Sequence, residues 1–259
     1  MNVVQASILG LVEGVTEFLP VSSTGHLILA SRFLGIVQDE FVKSFEIIIQ
    51  LGAILAVGVL YAPRFWSQRR LLLPVIVGFL PTAVIGLVFY KLVKTYLLGN
   101  TMVVVASLAI GGVVMIVVEG WLPKHFVRVR ATPESISVRD AVLIGIFQSI
   151  AIVPGVSRSA ATIIGGLLLG IERKTAVEFS FLLAIPTMVA ATALDLFKNP
   201  QIFSGGDAGV LAVGFIFSFI TALLSIRWLL GYVKHHTFTA FGLYRITLAA
   251  FVAGVMLWS

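Results

Sequence analysis

Glu13 and Glu17 stand four residues apart inside an apolar stretch, so on a helix they project from one face about a turn apart. An acidic residue at the centre of a membrane helix costs about 2.5–3.5 kcal/mol, and two adjacent like charges cost more than two separate ones. A divalent cation such as Mg²⁺ or Ca²⁺, which prefers oxygen ligands, would neutralise the pair together with a bound phosphate group. The plainer alternative is a protonated or hydrogen-bonded carboxylate between helices. Ser22, Ser23, Thr24, Gly25 and His26 follow at once. Amides at a helix start beside a glycine form an anion site, and either Ser23 or His26 can attack phosphorus. Ser23 and His26 are three apart and can face each other across one turn. Alone, His26 would read as a polar residue packed between helices; beside two Glu and two Ser it reads as functional. Arg158 is the only Lys or Arg between Arg139 and Arg173. Its planar fork matches two phosphate oxygens, or else pairs internally with Glu13 or Glu17. Gly155, Ser157, Ser159 and Thr162 surround it with backbone freedom and hydroxyl groups.

The elements that must position these groups are membrane elements. The chain of 259 residues is 59% hydrophobic and 12% charged, with a mean hydropathy of +1.06, which only lipid can solvate. Apolar runs at about 43–61, 72–93, 101–121, 175–195, 208–231 and 238–258 predict about six transmembrane helices. Segments 2–36 and 138–171 differ, because Pro, Ser and Gly interrupt each in the middle. They read as two re-entrant helix–loop–helix segments, since irregular backbone at membrane depth must be buried in protein or line a wet cavity. The net charge of +6 lies in short gaps between spans, which signals topology and argues against nucleic acid. The absence of cysteine excludes disulfides, thiolate nucleophiles and Cys-ligated metals. With no basic leader and two Glu in its first apolar stretch, the N-terminus reads as mature structure.

The two broken segments align without gaps. Gly10 meets Gly145, Val21 meets Val156, Ser22 meets Ser157, Ile28 meets Ile163 and Gly35-Ile36 meets Gly170-Ile171, with Glu13 opposite Gln148. The fold expected is therefore all-α and integral to the membrane: one transmembrane domain over 1–259, with repeats at about 1–121 and 137–259. An odd number of spans per half makes it an inverted-topology repeat. Arg64, Arg69, Arg70, Lys124, Arg128, Arg130, Arg139, Arg173, Lys174 and Lys234 fall on one face; Arg32, Lys43, Lys91, Lys94 and Lys198 fall on the other. The richer face should be cytoplasmic, which puts both termini and the first re-entrant mouth outside. Ser204-Gly205-Gly206-Asp207 is read as a loop turn and not as a phosphate cradle.

The stretches Glu13-Gly-Val-Thr-Glu17-Phe-Leu-Pro-Val-Ser-Ser-Thr-Gly-His26 and Pro154-Gly-Val-Ser-Arg-Ser-Ala-Ala-Thr162 closely resemble the two signature motifs of the bacterial undecaprenyl-diphosphate phosphatases, the BacA/UppP family. The resemblance runs along essentially the whole chain. It implies hydrolysis of an isoprenoid diphosphate to its monophosphate, which recycles the carrier lipid for the cell wall and underlies bacitracin resistance. It also implies the bacterial cytoplasmic membrane as location. The family's acidic pair falls on Glu13 and Glu17, its Ser-Ser-Thr-Gly-His stretch on Ser22 to His26, and its Ser-Arg-Ser and Thr on Ser157, Arg158, Ser159 and Thr162. The resulting expectation is that Glu13 and Glu17 hold metal, Arg158 clamps phosphate, Ser23 attacks and His26 serves it as acid or base. Ser22, Thr24, Gly25, Gly155, Ser157, Ser159 and Thr162 would contact substrate, which enters from the extracytoplasmic side. A secondary transporter or lipid flippase is the rival reading, because inverted repeats with broken helices are also transporter architecture. The sequence leaves oligomeric state and the choice between Ser23 and His26 open.

Overall fold

Local signals in the sequence start and stop the helices, and the two halves repeat those signals. In the computed structural model, which describes residues 1–37, 39–97, 100–125, 132–198 and 208–258, the first helix α1 (Val3–Thr16) opens with a capping box between Asn2 and Gln5. Helix α6 (Val138–Ser149) opens with the same device between Ser137 and Asp140. After each break the chain resumes at a serine cap in the left-handed region. Ser22, with φ 74°, caps α2 (Ser23–Phe33), and Ser157, with φ 73°, caps α7 (Arg158–Leu168). Each short helix then ends at a glycine of positive φ, Gly35 and Gly170, where a side chain would strain the turn. Asn2 and Ser137, Ser22 and Ser157, and Gly35 and Gly170 all correspond in the single gapless alignment of the two halves.

The long helices are α3 (Glu40–Ser67), α4 (Leu72–Leu92), α5 (Thr101–His125), α8 (Arg173–Lys198), α9 (Ala208–Tyr232) and α10 (Thr239–Trp258). All six are long and apolar enough to cross a membrane. Their outward faces carry exposed Val84, Val88, Phe89, Val113, Val117, Ile220 and Leu224, as lipid solvation requires. The described residues contain no strand. The ends of these helices fall within a few residues of the expected spans, except that α3 runs on to Ser67. Arg128 and Arg130 of the charged face, and the Ser204–Asp207 turn, lie outside the described residues.

Packing follows a two-fold pattern. Helix α1 lies on α9 as α6 lies on α4, and α3 lies on α9 as α8 lies on α4. The pairs α5·α10 and α3·α8 map onto themselves when the halves are exchanged. Both hairpins cross their partners at a glycine pair, Gly10 against Gly214 and Gly145 against Gly78, where a β-carbon would meet backbone. At one end of the bundle Arg64 holds Glu134 at 2.7 Å and Glu178 at 2.8 Å, while Arg173 holds Glu119 at 2.5 Å. These contacts bring the α3 and α5 C-termini and the α8 N-terminus to the same end, as the loop-charge reading requires.

The glycine crossings give a direct test. Gly10→Ala and Gly145→Ala should each lower stability by about 1–3 kcal/mol, as overpacking does. Gly58→Ala, whose added carbon meets nothing within 4 Å, should not. Thermal unfolding in detergent measures all three, and unchanged midpoints for the first two would refute the close crossings.

Candidate active site

The two breaks meet at the centre of the bundle. Ser159 Oγ donates to the Phe18 carbonyl at 2.7 Å, which ties the start of α7 to the first break. Phe18 is fully buried and packs edge-on against Phe181 of α8, with ring centroids 5.3 Å apart. Glu17, the C-cap of α1, stands between the two segments. Its Oε1 accepts from Arg158 Nη2 at 2.9 Å, and its Oε2 accepts from Ser23 Oγ at 2.5 Å. Ser23 therefore directs its proton at a carboxylate, and that carboxylate is held by the guanidinium. Arg158 Nη1 donates to the Ser180 carbonyl at 2.9 Å, its Nη2 also reaches the Met188 sulfur, and its buried Nε has no partner. Thr162 Oγ1 donates to Ser180 Oγ at 2.6 Å, bracing the same corner from behind.

These groups border a cavity of about 600 Å³. Glu17, Ser22, Ser23 and Thr24 line it from the first segment, and Gly155, Ser157 and Arg158 from the second. From there the lining follows α4 from Phe79 to Leu87 and α8 from Thr187 to Leu194. Arg158 is the one cation among the described residues of that lining. A polar head with an apolar continuation fits an anionic group carried on a hydrocarbon chain.

Several expected site residues sit behind the cavity wall. Ser159 and Thr162 are each 1% exposed and spend their hydroxyls on Phe18, Ser180 and nearby carbonyls, so they shape the site without facing a ligand. Gly25 is buried beneath Ser22, whose Oγ its amide approaches at 3.5 Å. His26 points away from the cavity head. Its Nδ1 lies 2.8 Å from the Ser22 carbonyl and its Nε2 lies 2.6 Å from the Tyr244 hydroxyl, and the two rings stack. Both nitrogens are thus occupied away from Ser23, and Glu17 takes the place expected for the histidine. The cause is local: in the first turn of α2 the Ser22 carbonyl, four residues back, is a ready acceptor for the ring.

Glu13 is fully buried, with neither carboxylate oxygen hydrogen-bonded. Glu17, Glu46 and Arg158 are the charges around it. A buried carboxylate without a hydrogen-bond partner beside Glu17 calls for a proton or a cation. Glu13 and Glu17 offer hard oxygen donors side by side, but no group of three or more His, Cys, Asp or Glu at metal-binding spacing exists among the described residues. That donor set fits an ion such as Mg²⁺, which takes one or two carboxylates and completes its shell with phosphate oxygens and water.

Sequence reasoning missed Ser180, Glu46, Tyr244, and Thr82 with Thr187, which share the Gln148 amide at 2.8 and 3.1 Å. It also missed Arg245, the largest fully buried side chain among the described residues. A lone Arg inside an apolar run is the signal that picked out Arg158, and it was available for Arg245 as well.

A family model described as bacitracin resistance protein BacA matches residues 6–251. The chain is 51% identical over 256 residues to an undecaprenyl-diphosphatase of Aquifex aeolicus, covering 98% of each chain. It is 50% identical to an undecaprenyl-diphosphatase of a Sulfurihydrogenibium species, over 96% of this chain and 97% of the relative. To that of Wolinella succinogenes it is 49% identical, over 96% of both chains.

If the cavity head is an anion site, removing its one lining cation should be felt in binding alone. Arg158→Ala should weaken inorganic pyrophosphate at least roughly tenfold and Arg158→Lys less, since Lys keeps charge but loses the fork. Titration calorimetry on purified protein reads this, and unchanged affinity in Arg158→Ala would take Arg158 out of the site.

Proposed function

The chain belongs to the bacitracin resistance protein BacA family, and from that membership we propose the reaction that its central cavity carries out. It is a multi-pass membrane enzyme that hydrolyses undecaprenyl diphosphate to undecaprenyl monophosphate and phosphate, recycling the carrier lipid for the cell wall and conferring bacitracin resistance. The observation that carries the mechanism is the Ser23–Glu17–Arg158 chain of contacts.

The terminal phosphate enters beside Arg158 and draws the guanidinium from Glu17. Freed of its cation, Glu17 accepts the Ser23 proton. Ser23 Oγ then bonds to the terminal phosphorus as the anhydride P–O bond breaks, and the electron pair leaves on undecaprenyl monophosphate. Water later cleaves the Ser23 phosphoester to release phosphate and restore the hydroxyl. Phosphoryl transfer asks mainly for alignment and for neutralisation of the equatorial oxygens, which Arg158 and the amides that open α2 and α7 supply. A divalent ion held by Glu13 and Glu17 would add charge neutralisation at the diphosphate. A hydroxyl aimed at a carboxylate beside an anion clamp, and relatives named for an enzyme, favour chemistry over the transporter reading.

We read the halves, about 1–121 and 137–259, as an inverted-topology repeat within one transmembrane domain, each with one re-entrant hairpin. The matched caps and the two-fold packing support this. The protein sits in the bacterial cytoplasmic membrane with the reaction on the extracytoplasmic side. In support, the cavity runs toward the C-terminal ends of α4 and α8, away from the Arg64 and Arg173 ion pairs. The isoprenoid would leave the cavity between those two helices.

Purified protein should release phosphate from undecaprenyl diphosphate, and a chelator should abolish that release until Mg²⁺ or Ca²⁺ is restored. No release under any metal would reject the phosphatase, whereas full release in chelator would reject only the ion.

The side of entry has its own test. Thr24 is exposed at the cavity head, and the chain has no cysteine. A Thr24→Cys chain should react with an impermeant thiol reagent added outside the cell and be shielded by inorganic pyrophosphate. Labelling from the cytoplasmic side alone would reverse the orientation.

A further inference from the structure

Arg245 of α10 is fully buried, and every hydrogen bond it makes is to a backbone carbonyl. Nη1 donates to Pro20 at 3.3 Å and Val156 at 2.9 Å, and Nη2 donates to Gly155 at 3.0 Å and Ser107 at 3.0 Å. Nε reaches Leu108 at 3.4 Å. Among the described residues no carboxylate hydrogen-bonds to it, so the guanidinium is a buried charge compensated by backbone dipoles. Such a group is expensive at membrane depth unless its position is put to use.

The acceptors show what that use is. Pro20 in the first break corresponds to Gly155 in the second, so one side chain holds equivalent carbonyls of both halves. It does so from α10, whose pairing with α5 maps onto itself when the halves are exchanged. Ser23 follows Pro20 by three residues and Arg158 follows Val156 by two. The guanidinium therefore sets the separation of nucleophile and clamp while touching neither. Five donors in one rigid plane are available from Arg alone; Lys offers three on a flexible stem.

Resting on the phosphatase reading above, we propose that Arg245 is a positioning residue for the hydrolysis. It locks both broken segments in register from behind the cavity and lends its uncompensated charge to the diphosphate in front of them.

Three variants separate geometry from charge. Arg245→Lys keeps the charge and loses the planar grip. Arg245→Gln loses both. Gly111→Ala keeps the arginine, but its added methyl falls on the guanidinium and must displace it. Each is purified in detergent and compared with wild type for unfolding midpoint, kcat and KM on undecaprenyl diphosphate, and Ki of inorganic pyrophosphate. Folded Arg245→Lys and Gly111→Ala should lose roughly ten- to hundredfold in kcat, the scale of a small misplacement of reacting groups, with pyrophosphate Ki within about twofold of wild type. Arg245→Gln should lose kcat and also weaken pyrophosphate by roughly fivefold or more, as removal of one nearby charge does. A purely structural arginine would lower the midpoint and leave kcat and Ki of the folded protein at wild-type values. That result overturns the proposal, as does failure of all three variants to fold. Wild-type protein that binds pyrophosphate yet hydrolyses nothing would instead sink the phosphatase reading, leaving the Ki comparison to judge the charge.

Discussion

The Arg158–Glu17 ion pair is the contact through which two segments far apart in the chain become one site. A buried pair of this kind contributes little net stability, because desolvating both partners offsets most of their attraction. Its consequence is a coupling. Glu17 accepts from both Arg158 and Ser23, so its two oxygens are shared between a cation and a hydroxyl. In the proposed mechanism a phosphate that takes over the guanidinium releases Glu17 as it arrives, so binding and activation of the nucleophile become one event. In the proposed mechanism the clamp pairs with a carboxylate until an anion replaces it.

The two-fold pattern explains why the charges fall where they do. Arg158 opens α7 at the position where Ser23 opens α2, so the proposed nucleophile and clamp come from equivalent places in the two halves. The inverted repeat proposed above would make those places face each other. Other equivalent positions have diverged: Glu13 stands opposite Gln148, Glu17 opposite Ile152, and His26 opposite Ala161. Gln148 shows the chemistry of that divergence. A neutral amide whose Nε2 donates to Thr82 and Thr187 can be buried without a counterion, whereas Glu13 needs a proton or a cation. One half has kept the acids, the other supplies the cation, and the scaffold holds them together.

Much of this was legible in the sequence for physical reasons. Apolar runs of spanning length and the Pro-Ser-Gly interruptions report directly on solvation by lipid and on broken helices, and both breaks are where they were read. The pairing of Arg158 with an acidic residue was legible because a guanidinium in apolar surroundings must find an anion. The direction of His26 was not, because it depends on the backbone at Ser22, whose positive φ no residue-spacing rule anticipates. The bonds of Ser159 to Phe18 and of Thr162 to Ser180 were not legible either, since a hydroxyl has no sequence signature for which way it points. Arg245 escaped notice because averaging over an apolar run dilutes one charge.

Ser22 and Ser157 show how these features depend on each other. Glycine would adopt φ near 74° without strain, but it has no oxygen to accept the amides of Gly25 and Ala160 that begin α2 and α7. Serine accepts the strained backbone in return for the cap, and a conformation of that kind persists only where its surroundings over-determine it. Here the surroundings are the carbonyls just upstream, Pro20 in one break and Gly155 and Val156 in the other, fixed by one buried guanidinium. The rigidity needed to hold a hydroxyl 2.5 Å from a carboxylate thus comes from the far side of the loops, where no substrate reaches.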